Sequence, residues 1–124
     1  MPWYFDNDRS IYVQLIEQIQ NRIATGYYQP GSKLASVREL AGEAEVNPNT
    51  MQKALSELER MGLLHSQRTS GRYVTEDEGR IQEMKRQSAK EAIHSFLKQM
   101  ESLGFETEEI INLIREEKEG NEDE

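Results

Sequence analysis

Asn47-Pro48-Asn49-Thr50-Met51-Gln52-Lys53-Ala54-Leu55-Ser56-Glu57-Leu58 is the stretch on which the reading of this chain turns. Asn is a favoured helix cap, and Pro fits the first helical position, where a backbone N–H would have no partner anyway. Met51, Ala54, Leu55 and Leu58 then recur at three- and four-residue spacing, so one face of the helix is apolar. The opposite face of the first two turns carries Asn49, Thr50, Gln52, Lys53 and Ser56. Amide, hydroxyl and ammonium groups of this kind hydrogen-bond base edges and phosphates when a helix lies in a major groove. An ordinary surface helix has one polar face too, so the flanking sequence has to decide.

Upstream, Ser36-Val37-Arg38-Glu39 has the form of a capping box, and Val37, Leu40, Ala41 and Ala44 give the helix it opens an apolar stripe. Only Glu45 and Val46 separate that helix from Asn47, which predicts a helix-turn-helix. Downstream of Met61-Gly62 the period becomes strand-like. Leu63 to Gln67, the turn residues Arg68-Thr69-Ser70-Gly71, and Arg72 to Thr75 predict a β-hairpin. A helix-turn-helix followed by a hairpin is a winged helix. Its wing tip carries Arg68, Thr69, Ser70, Gly71 and Arg72: small residues let a backbone approach DNA closely, and the two Arg can reach phosphates or a minor groove. The competing reading of that tip is a solvated hairpin with Arg for solubility.

Before the pair of helices, Ile11, Tyr12, Leu15, Ile16, Ile19 and Ile23 mark a first helix, with Ser10 as its cap and Gly26 as its stop. It follows an aromatic start, Trp3-Tyr4-Phe5. Pro30-Gly31 suits the central positions of a type II turn.

The chain has 124 residues, room for one ordinary domain with a small appendage. With 35% hydrophobic and 31% charged residues its core is modest, which makes oligomerisation an expectation. There is no Cys and hence no disulfide or thiolate metal site. No signal peptide or long apolar span is visible, so the expected location is the cytoplasm, with no membrane partner. The net charge of −8 argues at first against a nucleic-acid partner, but its distribution answers the objection. Residues 1–75 hold eight basic and eight acidic residues, whereas residues 76–124 hold seven and fifteen. Only the second segment would be repelled by DNA, and a neutral segment can still present a basic face.

Glu76-Asp77-Glu78-Gly79 is a polar break, which divides the sequence into a winged helix-turn-helix over 1–75 and an acidic segment over 76–124. In the latter, Ile81, Met84, Ala89, Ala92, Ile93, Phe96, Leu97, Met100 and Leu103 follow a helical period over about six turns. Gly104 ends that helix, and Phe105 follows it. Thr107 then caps a last helix carrying Ile110, Ile111 and Ile114, before a solvated tail from Glu116 to Glu124. Two such helices cannot bury both faces within the chain. The expected fold is therefore mainly α with a small β-wing, a winged helix-turn-helix followed by a two-helix hairpin whose apolar stripe pairs with a copy of itself. The same residues near Phe96, Met100, Phe105 and Ile111 would serve either as a plain dimer core or as the wall of a small-molecule effector site.

The chain resembles the GntR family of bacterial transcription regulators across residues 10–75. The resemblance is carried by Ile11-Tyr12-Val13-Gln14-Leu15, Gly26 with Pro30-Gly31, and Leu34-Ala35-Ser36-Val37-Arg38-Glu39-Leu40-Ala41. It continues through Val46-Asn47-Pro48-Asn49-Thr50, Ala54, Leu58, Gly62-Leu63 and Gly71-Arg72-Tyr73-Val74. Asn47 to Thr50 and the short two-helix tail are similar to the YtrA-type subfamily in particular. The resemblance implies a homodimer that sets two winged helices on an imperfect palindrome in double-stranded DNA. It further implies regulation, usually repression, of the regulator's own operon, often one encoding an ABC transporter. The implied DNA contacts are Arg38, Asn47, Asn49, Thr50, Gln52 and Lys53, with Thr69, Ser70 and Gly71 at the wing; Ser36 is mainly a cap whose hydroxyl or N–H touches phosphate. Ala35 stands where the family usually has Pro, which loosens the loop entering the second helix; Pro48 replaces a common Arg, so that one direct contact is lost, and Gln52 replaces another, which shifts the preferred base sequence.

Catalysis finds no support. The two histidines, His65 and His94, lie far apart, and His94 with Glu91 has no third metal ligand. No phosphate loop or nucleophile motif is present, so no cofactor and no metal are expected. A winged helix used only as a protein-interaction module is the competing function, and Arg38, Lys53, Arg68 and Arg72 weigh against it.

Overall fold

The helix α3 (Pro48–Arg60) is the element on which its neighbours rest. Its start is built locally: Asn47 Oδ1 accepts from the Asn49 N–H at 2.7 Å, and Pro48 occupies the first helical position. Met51, Ala54, Leu55 and Leu58 are all buried, each large side chain contributing about 1.5–3 kcal/mol on transfer from water. Against this face pack α1 (Ile11–Ala24), α2 (Val37–Ala44) and β1 (Leu64–Gln67). At its far end α3 closes with a Schellman-type turn in which the Leu63 N–H donates to Leu58 O at 3.0 Å. Gly62 at φ +80° makes that turn without the steric cost a side chain would meet.

The strands β1 and β2 (Gly71–Val74) pair antiparallel with Leu64 opposite Val74 and Gln67 opposite Gly71. The outer edge of β2 is covered as well. Leu34 N–H donates to Arg72 O and Val74 N–H to Ser32 O, each at 2.9 Å. The turn that brings this segment round is the expected one, since the Ser32 N–H reaches Gln29 O at 3.0 Å and Gly31 has φ +78°. The fold is thus the winged helix read from the sequence, mainly helical with one small hairpin.

The computed structural model describes residues 1–122. Two compact units divide within α4 (Glu78–Ser102), between Lys85 and Arg86, later than the polar break of residues 76–79. The first two turns of α4 belong to the winged helix: Ile81 and Met84, expected on a dimer face, are buried in its core. A helical stripe records only that a face is apolar, and here its first part meets the chain's own core. In the second unit, α5 (Thr107–Glu122) begins one residue away from expectation. Glu106, not Thr107, holds the cap, its carbonyl accepting from the Ile110 N–H and its own N–H donating to Glu109 Oε1 at 3.1 Å. The expected solvated tail is helical as far as Glu122, and its last two residues lie outside the described ones.

Ahead of α1 runs an extended strap that the sequence did not announce. Gln18 pairs with the backbone of Tyr4, accepting from its N–H at 3.1 Å and donating to its carbonyl at 2.6 Å. One turn earlier, Gln14 accepts from the Asp6 N–H at 2.7 Å and donates to the carbonyls of Asp6 and Arg9 at 3.0 Å. One turn beyond Gln18, buried Arg22 donates to Met1 O at 2.6 Å and lies 3.7 Å from the centre of the Trp3 ring. Two amides and a guanidinium at four-residue spacing thereby satisfy an extended backbone much as a neighbouring strand would. Replacing Gln14 by Ala removes all of its bonds, and the expected loss is about 1–3 kcal/mol of stability. Thermal unfolding measures that loss, and a red-shifted emission of Trp3, the one tryptophan, reports release of the strap.

Candidate nucleic-acid interface

Asn49, Gln52 and Lys53 are exposed on the outward face of α3, with Thr50 half-buried beside them. This face stays open because the buried stripe takes the other side of the helix. Within it, Gln52 Nε2 donates to Ser56 Oγ at 3.3 Å, which orients the amide along the helix. Asn47 is engaged as the cap. Its side-chain oxygen is therefore occupied, and its role is chiefly to build the start of α3.

Ser36 likewise acts as the cap of α2, accepting from the Glu39 N–H at 3.1 Å. The Glu39 carboxylate accepts from the Ser36 hydroxyl at 3.1 Å and not from the Ser36 backbone N–H, so only the serine half of the expected capping box forms. Arg38, the second residue of α2, projects into solvent. The connection between α2 and α3 is tight because Glu45 takes the left-handed conformation, φ 56°, while the Val46 N–H returns to Ala41 O at 3.0 Å.

At the wing, Arg68, Thr69 and Ser70 form the turn between the strands, closed by the Ser70 N–H on Gln67 O at 3.2 Å. Gly71 has φ +117°, and the Lys33 side chain runs close past it. An open groove lies between this turn and the start of α2, with Lys33, Ser36, Glu39 and Arg68 along it. A second groove beside α3 brings Tyr12 next to Thr50, Gln52 and Lys53. Lys33 and Tyr12 are interface candidates that the sequence reading did not select. They sit on a loop and on α1, and only the fold brings them to α3 and the wing.

Ion pairing sorts the basic residues of the first unit. Arg9 pairs with Glu17, Arg60 with Glu57 and Arg72 with Glu59, while Arg22 is buried under the strap. Among the described residues Lys33, Arg38, Lys53 and Arg68 have no salt-bridge partner, and neither do Arg80 and Lys85 at the start of α4. The first four lie on the loop before α2, on α2, on the outward face of α3 and at the wing turn. A segment with no net charge thus presents unneutralised positive charge on one set of elements. Arg72, also expected at DNA, is held by a carboxylate: its Nε donates to Glu59 Oε1 at 2.5 Å, and the Ser66 hydroxyl donates to the same oxygen at 2.6 Å. Burial pushes the Glu59 carboxyl up, but the Ser66 and Arg72 hydrogen bonds and the Arg72 charge outweigh it and hold the group below its ordinary value.

In the second unit Ala89, Ala92, Ile93, Phe96, Leu103, Ile111 and Ile114 are exposed, Leu103 by 71% and Ile93 by 57%. Leu97, Met100 and Phe105 are half-buried, and Ile110 is already buried within the single chain. An apolar groove here is lined by Phe96, Met100, Leu113 and Ile114, with Glu117 and Lys118 at its edge. Leu113 was not selected from the sequence. The Glu91 carboxylate accepts from Gln87 Nε2, and among the described residues no cluster of three or more His, Asp or Glu is placed to hold a metal. No helix among them is long and apolar enough to cross a membrane.

Residues 11–74 match the family model described as bacterial regulatory proteins, gntR family. The chain belongs to the GntR family. Like its relatives in that family it is a DNA-binding transcription regulator, not an enzyme. It is 38% identical to the HTH-type transcriptional regulator YhcF of Bacillus subtilis (strain 168) over 90% of this chain and 92% of that one. It is 37% identical to the HTH-type transcriptional repressor YtrA of the same strain, over 86% and 82% of the two chains. A solved GntR-family regulator from Listeria monocytogenes superposes with a TM-score of 0.85 at 41% identity, covering 90% of this chain and 98% of that one. The DNA-binding domain of AraR, solved in complex with operator ORX1, matches 60% of this chain and 96% of its own with a TM-score of 0.53 at 29% identity.

The Glu59 contacts carry a pH dependence of known sign. A carboxyl lowered in the folded state stabilises fully above its unfolded value and loses that contribution as pH falls through the folded one. It is faced by Ser66 and His65 from β1 and by Arg72 from β2, all of which favour its charged form. Amide-exchange protection of residues 65–73 is therefore expected to fall selectively as pH drops below the ordinary carboxylate value of about 4.

Proposed function

We propose that this GntR-family regulator is a cytoplasmic homodimeric repressor that binds a palindromic operator in its own operon. The observation that carries the reading is that Lys53 on the outward face of α3, Arg38 on α2, and Lys33 and Arg68 along the groove between α2 and the wing all stand without a salt-bridge partner among the described residues. Phosphate contacts by such groups set register on a duplex, and Asn49, Thr50 and Gln52 then read base edges. Arg68 with Thr69, Ser70 and Gly71 follows the adjacent backbone, and Ser36 offers the start of α2 to a phosphate.

The exposed apolar row of α4 and α5 supports self-association, since so many large side chains left in water mark an interface. Two-fold pairing of the chain calls for a two-fold operator. The name of the similar repressor YtrA supports negative regulation. An operon encoding an ABC transporter rests on the YtrA-type resemblance alone. The groove of Phe96, Met100, Leu113 and Ile114 supports a second role, admission of a small apolar effector whose polar end meets Lys118 or Glu117.

Footprinting on the DNA upstream of the protein's own gene tests the proposal: one protected palindrome is expected, and uniform weak binding at every salt concentration would reject it. On that site Arg38→Ala is expected to cost roughly 1–3 kcal/mol of affinity while the dimer persists. Phe96→Asp is expected to give monomers in sedimentation and to lose operator binding indirectly. An intact dimer after that change would move the interface elsewhere.

A further inference from the structure

Ser66 and Arg72 face each other on one rung of the wing, one pair below the turn that carries Arg68. Both donate to a single oxygen of Glu59, which projects from the last turns of α3. The Glu59 and Arg72 side chains are only 29% and 17% exposed, so the pair is sheltered from the screening that weakens surface ion pairs. Below this rung the wing is held by its core side chains, Leu64 and Val74. Above it the strands have no buried side chain, and Gln67, Arg68 and Thr69 are exposed. Glu59 is thus the outermost tie between α3 and the wing.

We propose that Glu59 is a positioning residue for DNA binding: it sets the wing tip at a fixed reach from the outward face of α3, and Arg72 is the pin of that clasp rather than a phosphate ligand. The inference rests on the DNA-binding reading of α3 and the wing. A guanidinium already neutralised by a carboxylate displaces no counterion from DNA, whereas the unpaired Arg68 does. The two arginines, four residues apart, therefore have different work. Arg68 supplies charge to the complex. Arg72 supplies geometry.

The salt dependence of binding separates those roles. The probe is a duplex selected by the wild-type protein from a random-sequence pool, with affinity measured across a salt series. For Arg68→Ala the slope of log affinity against log salt is expected to fall by about one. For Arg72→Ala and Glu59→Ala affinity is expected to drop roughly tenfold with the slope unchanged, and the double variant to be no worse than either single one. Glu59→Gln, which keeps an acceptor oxygen, is expected to recover most of the loss. Amide exchange of residues 65–73 is expected to rise in Glu59→Ala while α1 and α2 keep their protection. Should Glu59→Ala unfold globally, Ser66→Ala removes one donor from an exposed position and is expected to show the same selective change.

Three results overturn the proposal: a slope lowered by Arg72→Ala as much as by Arg68→Ala, tighter binding by Glu59→Ala through release of Arg72, or wing exchange that the Glu59 and Ser66 variants leave unaltered. If the wild-type protein selects no duplex, the DNA reading fails, and the exchange measurement still decides whether the clasp exists.

Discussion

Everything else in the winged helix depends on one constraint, that the buried stripe of α3 must be covered from several sides at once. Met51, Ala54, Leu55 and Leu58 present a narrow surface to α1, α2 and β1 together. Close packing leaves those elements little freedom, because a shift in any one would open a void against the others. The polar face of α3 is then exposed by necessity, at a defined height above α2 and the wing. Core packing therefore decides which face is offered: the side that cannot be buried is the side proposed to read DNA.

Charge is arranged by a similar economy. Acidic residues in the first unit are not kept away from the arginines but matched to selected ones, through Glu17, Glu57 and Glu59. Pairing neutralises Arg9, Arg60 and Arg72, and leaves Lys33, Arg38, Lys53 and Arg68 unneutralised. Net charge by segment cannot reveal this, since a balance of zero is equally consistent with complete pairing and with a divided surface.

The parts of the fold legible in the sequence are those settled by neighbours in the chain. The caps Asn47 and Ser36, the Pro30-Gly31 turn and the turn of the wing each depend on a few consecutive residues, and each stands where the sequence placed it. What escaped depends on residues far apart. Glu59 and Arg72 are thirteen positions apart, and Gln18 and Tyr4 fourteen, with no local pattern joining them. No local pattern singles out Arg22, which is buried beneath Trp3. The stripe of α4 looked uniform from Ile81 to Leu103 because periodicity marks an apolar face without naming what the face meets. Acidic composition in α5 said only that the segment is solvated, a property that an exposed helix and a coil share. For the candidate interface, the exposed face of α3 and the wing turn were legible as surfaces, while the nearness of Lys33 and Tyr12 to them required the fold.

Lys33, Arg38, Lys53 and Arg68, which have no ion-pair partner among the described residues, have a consequence for binding. Two chains on one operator would bring eight such groups to the phosphates. If each displaced about one counterion, a doubling of intracellular salt would weaken binding on the order of a hundredfold. Occupancy of such a site would then follow the ionic strength around it, through the physics of the contact surface alone.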